Sequence, residues 1–178
     1  MIFKFNDLKF KGSFLALRIE GDKLSINERI KSLKEELELN MLKTSILDVH
    51  QSNPFWRKIN NLELFKQMEN SLLRVVIPPS KGMKLMQYLG NQYKYYIDWC
   101  GSLYWIEVDS KKNMQIVEIK KLIKEFGGYL TIIKTSSEYD FEESIFTVDD
   151  ARLLISKKIK KSFDPKGVLN PGKMYRGV

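Results

Sequence analysis

The sequence predicts an α+β fold, close to a duplicated ferredoxin-like arrangement, with a mostly antiparallel sheet covered by helices on one face. Segments with strand and helix periodicity alternate as β-α-β, a short helical insert, β-α-β-β-α-β and a last helix. In the middle, two aromatic strands, YKYYIDWCG and SLYWIEVD, are joined near Gly101 and therefore form a hairpin. No sequence repeat and no linker interrupts the chain, so we expect a single domain over residues 1–178.

The first half of the chain contributes two predicted strands and two predicted helices. SFLALRIEG, at Ser13–Gly21, alternates in polarity and ends in glycine, which is typical of a strand. SINERIKSLKEELEL follows as a helix, with Ser25 and Glu28 as a capping box. TSILDVH is a predicted short strand at Thr44–His50, and NPFWRKINNLELF is a predicted short helix that turns its Phe and Trp inward.

The second half has clearer boundaries. The strand SLLRVVIPP is stopped by two prolines, and the short helix after it has Ser80 as its cap and Gly90 after its last turn. Gly127 closes the helix before the strand YLTIIK, and an acidic loop, SSEYDFEES, precedes a last helix that starts at Thr147 and Asp150. These boundaries predict the helices that cover the sheet.

Composition excludes several classes of protein. No apolar run approaches the ~20 residues that a membrane span needs, and the N-terminus lacks the pattern of a secretory signal, so we expect a cytoplasmic protein. The chain has one cysteine, Cys100, and one histidine, His50, which cannot form an internal disulfide or an ordinary zinc site. We therefore predict no metal, and we interpret His50 as a surface residue.

The net charge of +8 raises the possibility of a nucleic-acid ligand. Of the 30 basic residues 24 are lysines, which are scattered, and only 6 are arginines. Base-reading sites favour arginine for its bidentate contacts. The lysine cluster at residues 157–161 is most simply the solvated side of a helix. We therefore expect no nucleic-acid partner.

The last sixteen residues, FDPKGVLNPGKMYRGV, combine two turn signatures. Asp164-Pro165-Lys166-Gly167 has the preferences of a type I turn, and Asn170-Pro171-Gly172-Lys173 those of a type II turn. A helix therefore ends at about Ser162, and the chain folds back twice, with Val168 and Leu169 as apolar pins between the turns. On physics alone this tail is an ordered cap.

This tail also resembles the C-terminal signature of FAD-linked oxidases of the vanillyl-alcohol oxidase / p-cresol methylhydroxylase superfamily. Further segments extend the resemblance over nearly the whole chain: LRIEG, NPFWRKI, LRVVIPPS, YYIDWCGSLYWIEV and KEFGGYLTIIK. In this order they are similar to the C-terminal, substrate-side (cap) half of the FAD-binding E subunits of bacterial glycolate oxidases.

The resemblance implies half of a flavoprotein. In the family a glycine-rich FAD-binding domain precedes this half, whereas this chain starts at Met1, just before the substrate-half strand, and has no phosphate-cradling glycine cluster. Gly127 and Gly128 are better interpreted as a helix stop. We expect FAD to bind only together with a separate FAD-binding half. The expected partner is therefore that FAD-binding half or another glycolate oxidase subunit. Alone, the chain is expected to be inactive.

The resemblance also suggests site residues. Asn170, Pro171 and Gly172 match the family's LNPG, whose return toward the flavin domain implies a cofactor contact; the alternative for Asn170 is a turn-capping role. Arg74 lies on an otherwise apolar strand, where it either clamps a substrate carboxylate or forms an ion pair with an acid such as Asp98.

Asp98, Trp99, Tyr104 and Trp105 belong to the aromatic hairpin. Its rings either stack on a bound ring or pack in the core. With Arg74, we take Asp98, Trp99 and Trp105 as candidate substrate-binding residues.

Three functions follow. The first is the substrate half of an FAD-dependent 2-hydroxy-acid (glycolate-type) oxidase or dehydrogenase, in which the flavin accepts a hydride. The second is a non-catalytic interaction module, or the remnant of a split flavoenzyme gene. The third is a ferredoxin-like nucleic-acid binder, whose binding would depend strongly on salt.

Overall fold

The computed structural model describes residues 2–5, 8–11, 13–37, 44–65, 69–109, 112, 114–135 and 145–173. The chain divides into two compact units, residues 1–64 and 65–178. The acidic loop at 136–144 and the last five residues lie outside the described part.

The first unit contains a two-stranded antiparallel hairpin and two helices. The strands are β1 (Ile2–Phe5) and β2 (Leu8–Lys11), and the helices are α1 (Lys23–Glu36) and α2 (Val49–Asn60). The described elements of this unit do not repeat the ferredoxin-like order of the second, so the predicted duplication is wrong. Phe55 on α2 is buried, at 2% exposure, as predicted.

Three local predictions in this unit are wrong. Residues 13–20 pair with none of the described strands, so their alternation does not give β-structure. The predicted strand at Thr44–His50 is replaced by the start of α2, where Asp48 and Gln51 form a capping box. Helix α1 begins before the predicted capping residue Ser25. Its N-cap is Asp22, whose carboxylate accepts hydrogen bonds from the amides of Leu24 and Ser25 at 3.1 and 3.0 Å.

The second unit has the β-α-β-β-α-β order that the sequence predicts. Its elements are β3 (Ser71–Val76), α3 (Gly82–Leu89), β4 (Lys94–Asp98), β5 (Leu103–Val108), α4 (Met114–Glu125) and β6 (Tyr129–Lys134). The strands form one antiparallel sheet in the order β4-β5-β3-β6. This order places the first strand of the motif between the third and the fourth, which is the ferredoxin-like arrangement.

Both helices of the motif pack on the same face of this sheet. The core between them consists of fully or nearly fully buried apolar side chains from three strands and two helices: Leu73, Val75, Leu85, Leu89, Tyr104, Ile106, Val108, Ile116, Ile119, Ile123, Leu130 and Ile132. Side chains alternate along a strand, so the residues between these point to the opposite face. We call that opposite face the second face.

Glycines end the two helices as predicted. Gly90 follows α3 with a φ of 48°, and Gly127 follows α4 with a φ of 71°. The amide of Gly128 donates to Ile123 O and that of Gly127 to Lys124 O, a Schellman motif. The helix-stop interpretation of this glycine pair is therefore confirmed. Ser80 lies in a short 3-10 turn before α3 and does not cap it.

A last helix, α5 (Asp150–Phe163), begins at Asp149, whose carboxylate accepts the Arg152 amide at 2.8 Å. No described helix is long and apolar enough to cross a membrane.

Candidate functional site

The β4–β5 turn has an unusual backbone. Trp99, Cys100 and Gly101 have φ values of 50°, 51° and 91°, so three consecutive residues adopt left-handed or near-left-handed conformations. For a residue with a Cβ this conformation costs about 1–2 kcal/mol. Two hydrogen bonds offset part of that cost: the Trp99 amide donates to Asp98 Oδ1 at 2.7 Å, and the Ser102 amide donates to Trp99 O at 3.2 Å. Asp98 therefore holds the turn that presents Trp99.

One row of side chains crosses the second face from edge to edge. Tyr96 on β4 pairs with Trp105 on β5, Trp105 pairs with Arg74 on β3, and Arg74 pairs with Thr131 on β6. Directly paired residues of an antiparallel sheet share a face, with Cβ atoms about 4.5–5.5 Å apart. We call Tyr96, Trp105, Arg74 and Thr131 the row.

Aromatic rings form one end of the row. The rings of Tyr96 and Trp105 lie 6.4 Å apart with an interplanar angle of 30°, and Phe65 stacks on Tyr96 at 5.7 Å. Burial, and next the negative charge of Asp98, raise the pKa of Tyr96 to about 12. Its phenol is therefore neutral at physiological pH and offers an O–H donor.

Arg74 is the cation of the row. Its guanidinium carbon lies 5.2 Å from the centre of the Trp99 ring, and the residue is half-buried. Among the described residues, no carboxylate lies within ion-pair distance of this guanidinium. Asp98, the acid suggested as its partner from sequence, caps the Trp99 amide instead. The predicted ion pair with Asp98 is therefore not formed, and carboxylate binding by Arg74 stays a prediction.

Two other arginines have carboxylate partners. Arg152 lies 3.3 Å from Asp149 and stacks on the Tyr129 ring at 4.6 Å, and Arg18 lies 2.5 Å from Glu20. Their charges are already compensated, which distinguishes them from Arg74.

An ion pair between half-buried Lys94 and buried Glu107 lies beside the row. Lys94 and Glu107 are cross-strand partners whose Nζ and Oε2 atoms are 3.5 Å apart. Glu107 is only 8% exposed, and its Oε1 has no hydrogen-bond partner among the described residues. Lys94 also lies 5.6 Å from the centre of the Phe65 ring. This pair supports the aromatic end of the row.

A cleft between β6 and α5 borders the other end of the row. Its volume is about 350 Å³, and Thr131 belongs both to its lining and to the row. Its other lining residues come from β6, from the segment before α5 and from the first turns of that helix: Tyr129, Leu130, Phe146, Thr147, Val148, Arg152, Ile155 and Ser156.

Sequence reasoning misses this cleft because its wall depends on a long-range pairing. Thr131 forms a single antiparallel bridge with Phe146, and the Leu130 amide donates to Thr147 Oγ1 at 2.7 Å. These contacts hold the start of α5 against the edge strand. The local signal is Thr147 before the helix, which by itself indicates only where the helix starts.

The tail forms the two predicted turns. The Gly167 amide donates to Asp164 O at 3.0 Å, and the Lys173 amide donates to Asn170 O at 3.2 Å. Gly172 has the positive φ, 70°, that a type II turn requires.

Polar groups hold the tail in place, and not the apolar pins that the sequence predicts. Val168 and Leu169 are 70% and 64% exposed, while their amides donate to the two carboxylate oxygens of Asp164 at 2.9 and 2.8 Å. Lys160 lies 2.6 Å from Asp164 and also donates to the Leu169 carbonyl. The bond from Lys160, followed by those from the two amides, lowers the pKa of Asp164 to about 2.

The predicted site residues thus fall into two groups. Arg74, Asp98, Trp99 and Trp105 meet at the second face and the β4–β5 turn. The Asn170–Gly172 turn follows Leu169, whose amide and carbonyl bond to Asp164 and Lys160 at the end of α5. Cys100 is exposed, and the described residues contain no group of three or more histidine, cysteine, aspartate or glutamate side chains able to hold a metal.

The similarity of this chain to curated proteins supports a distant relation to the FAD-linked oxidases. One relative is the glycolate oxidase subunit GlcE of Escherichia coli (strain K12), which is 28% identical to this chain over 123 residues. The alignment covers 68% of this chain but only 31% of that protein, so the chain spans about a third of its relative. No family model matches the chain, and no solved structure matches it.

Proposed function

We propose that this chain supplies the substrate side of an FAD-dependent 2-hydroxy-acid oxidoreductase, with the flavin bound mainly by another polypeptide. When bound, the flavin would supply the acceptor for the hydride of the substrate's α-carbon. This chain's residues bind the carboxylate and exclude water.

The observation that carries the proposal is the guanidinium of Arg74. This half-buried cation on a sheet strand can bind an anion, and no described carboxylate lies within ion-pair distance of it. A carboxylate matches the planar N–H fork of arginine and binds it in a bidentate manner. In this assignment Trp99 and Trp105 flank the bound anion, and Asp98 positions the turn.

The described residues fit a flavin only in part. The exposed Trp99 ring offers an apolar surface to a planar cofactor, and no atom lies within 4 Å of the position that a Cβ on Gly172 would take, so the tail backbone can be approached closely. A pyrophosphate needs several converging amides. The glycine pair after α4 cannot serve, because Gly128 packs against Val76 and Ile77. We therefore assign the pyrophosphate to a partner, with the tail at Asn170–Gly172 as the proposed contact to the flavin half.

The first experiment measures carboxylate binding by the chain alone. Titrations with glycolate and lactate, followed by the chemical shifts of the Trp99 indole and the Arg74 guanidinium, should give saturable shifts. Arg74→Gln should abolish them. Arg18→Gln is the control, since that arginine already has a carboxylate partner and lies outside the cleft lining, and it should bind like the parent. Equal binding by the parent and Arg74→Gln would exclude Arg74 as the site.

The second experiment tests the need for a flavin partner. We expect the purified chain to be colourless and to show no micromolar FAD binding by calorimetry. Mixed with a separately produced FAD-binding half, it should give a flavin spectrum that 2-hydroxy acids bleach. A non-catalytic interaction module would form the complex without bleaching, and a remnant would form no complex. Micromolar FAD binding by the chain alone would contradict the assignment of the cofactor to a partner.

A further inference from the structure

We infer that the β6–α5 cleft is a side-chain pocket, so that the acid bound at Arg74 is a 2-hydroxy acid with an apolar side chain rather than glycolate itself. This inference rests on the proposed function, because it takes Arg74 as the carboxylate site. It adds the chemical nature of the substrate's side chain, the part of the acid that lies away from the carboxylate.

The register of the sheet places the cleft next to Arg74. Thr131, which lines the cleft, is the direct cross-strand partner of Arg74. Tyr129, also in the lining, is the diagonal neighbour of Arg74 on β6, a relation that puts two side chains about 7–8 Å apart. A molecule held by the guanidinium therefore reaches the cleft within a few bond lengths.

The direction from Arg74 to the cleft is also defined. Trp99 follows β4, two strands away from β3 on the side opposite β6, so its ring approaches the guanidinium from the β4–β5 side. The β6 side is where Thr131 and the cleft lie. A ligand whose carboxylate contacts Arg74 beside Trp99 has room to extend its remaining atoms over Thr131 toward the cleft.

The lining of the cleft contains both apolar and polar side chains, and its apolar residues favour an apolar substrate side chain. Phe146, Val148 and Ile155 contribute apolar surface, and Tyr129 contributes a ring. Arg152 already contacts Asp149 and the Tyr129 ring. The Thr147 hydroxyl oxygen accepts a hydrogen bond from the Leu130 amide. The proton of this hydroxyl is therefore available to an acceptor in the protein or in solvent.

The size of the cleft exceeds what a two-carbon acid needs. Water occupies about 30 Å³ per molecule in the liquid. A volume of about 350 Å³ thus has room for a side chain of several carbons together with some water. Glycolate, which has no side chain, would leave the cleft unused.

The test is a chain-length series on the intact 178-residue chain, with glycolate, lactate and 2-hydroxyhexanoate as probes. Burial of a methylene strengthens binding by up to about 4-fold, and we expect about 2- to 4-fold per added carbon in this half-open cleft. Ile155→Trp, which fills the cleft, should lower the affinity for 2-hydroxyhexanoate to that for glycolate. Ile159→Trp lies one helical turn further, outside the lining and equally exposed, and should keep the parent's preference.

The outcomes separate this inference from the proposed function. If all three acids bind with equal affinity and Arg74→Gln abolishes binding, the side-chain pocket is wrong and the carboxylate site stands. If 2-hydroxyhexanoate binds equally well to the parent and to Arg74→Gln, the cleft does not act with Arg74 and the inference is wrong. If no acid binds, both fail. An equal effect of Ile155→Trp and Ile159→Trp would also overturn the pocket.

Discussion

Replacing Gly128 by alanine should destabilise the strand that carries Arg74. A Cβ at this position would lie 2.6 Å from the Val76 carbonyl oxygen and 2.6 Å from Ile77 Cγ2, well inside van der Waals contact. The carbonyl belongs to β3 and cannot move without shifting that strand. Overpacking of this kind costs typically 1–3 kcal/mol, and the involvement of backbone places the expected loss of unfolding free energy at about 2–3 kcal/mol.

Gly127→Ala is the matched control for this variant. Gly127 has a φ of 71°, but no atom lies within 4 Å of the position that a Cβ would take there, so alanine meets only the left-handed backbone cost of about 1 kcal/mol. Thermal unfolding followed by circular dichroism measures both. With about 2–4 °C per kcal/mol for a chain of this size, Gly128→Ala should melt about 4–12 °C below the parent and Gly127→Ala about 2–4 °C below it. The reasoning fails if Gly128→Ala melts at or above the temperature of Gly127→Ala.

Three further predictions concern the tail and the buried pair. Gly172→Ala should lower the melting temperature more than Gly177→Ala, since Gly172 needs its positive φ; equal melting temperatures would contradict this turn. Because the folded pKa of Asp164 is depressed to about 2, from about 3.9 in an unfolded chain, its contribution is complete above the unfolded value and is lost as pH falls from about 4 to 2. Amide shifts of the tail should move in this window, and in Asp164→Asn they should not. Lys94→Met should cost about 2–3 kcal/mol in urea unfolding by leaving buried Glu107 unpaired, and adding Glu107→Gln should restore part of it; no rescue would argue against the pair.

The second unit could be predicted from sequence because its signals are local and agree with one another. Prolines stop β3, Gly90 and Gly127 end the helices, and the apolar period of α4 matches its buried side. Each boundary is fixed by residues within one turn of it. The turns at Asp164 and Asn170 are predictable for the same reason.

The first unit shows where local patterns fail. Alternation over Ser13–Gly21 describes a strand only if a partner strand pairs with it, and the described part of the chain offers no such pairing. At residues 44–50 the β-branched composition suggests a strand, whereas a carboxylate and an amide three residues apart, Asp48 and Gln51, start a helix there. A capping box outweighs weak strand propensity.

Only part of the candidate site could be predicted from the sequence. A charged residue in the apolar stretch LLRVVI points to Arg74, and the hairpin points to Trp99 and Trp105. The cleft was not predictable, since it depends on a single bridge between Thr131 and Phe146, fifteen positions apart along the chain. Nor does composition indicate that Asp98 caps a turn instead of pairing with Arg74.

The position of Arg74 on an inner strand has a consequence for the kinetics of the fold. β3 bonds to β5 and to β6, both of which follow it in the chain, so the row forms only after distant segments have closed on each other. Inner-strand amides exchange their hydrogens mainly through global unfolding, whereas a strained turn at the sheet's end opens locally. We therefore expect the Arg74 amide to exchange its hydrogen on the timescale of global unfolding and the amides of the Trp99 turn to exchange faster.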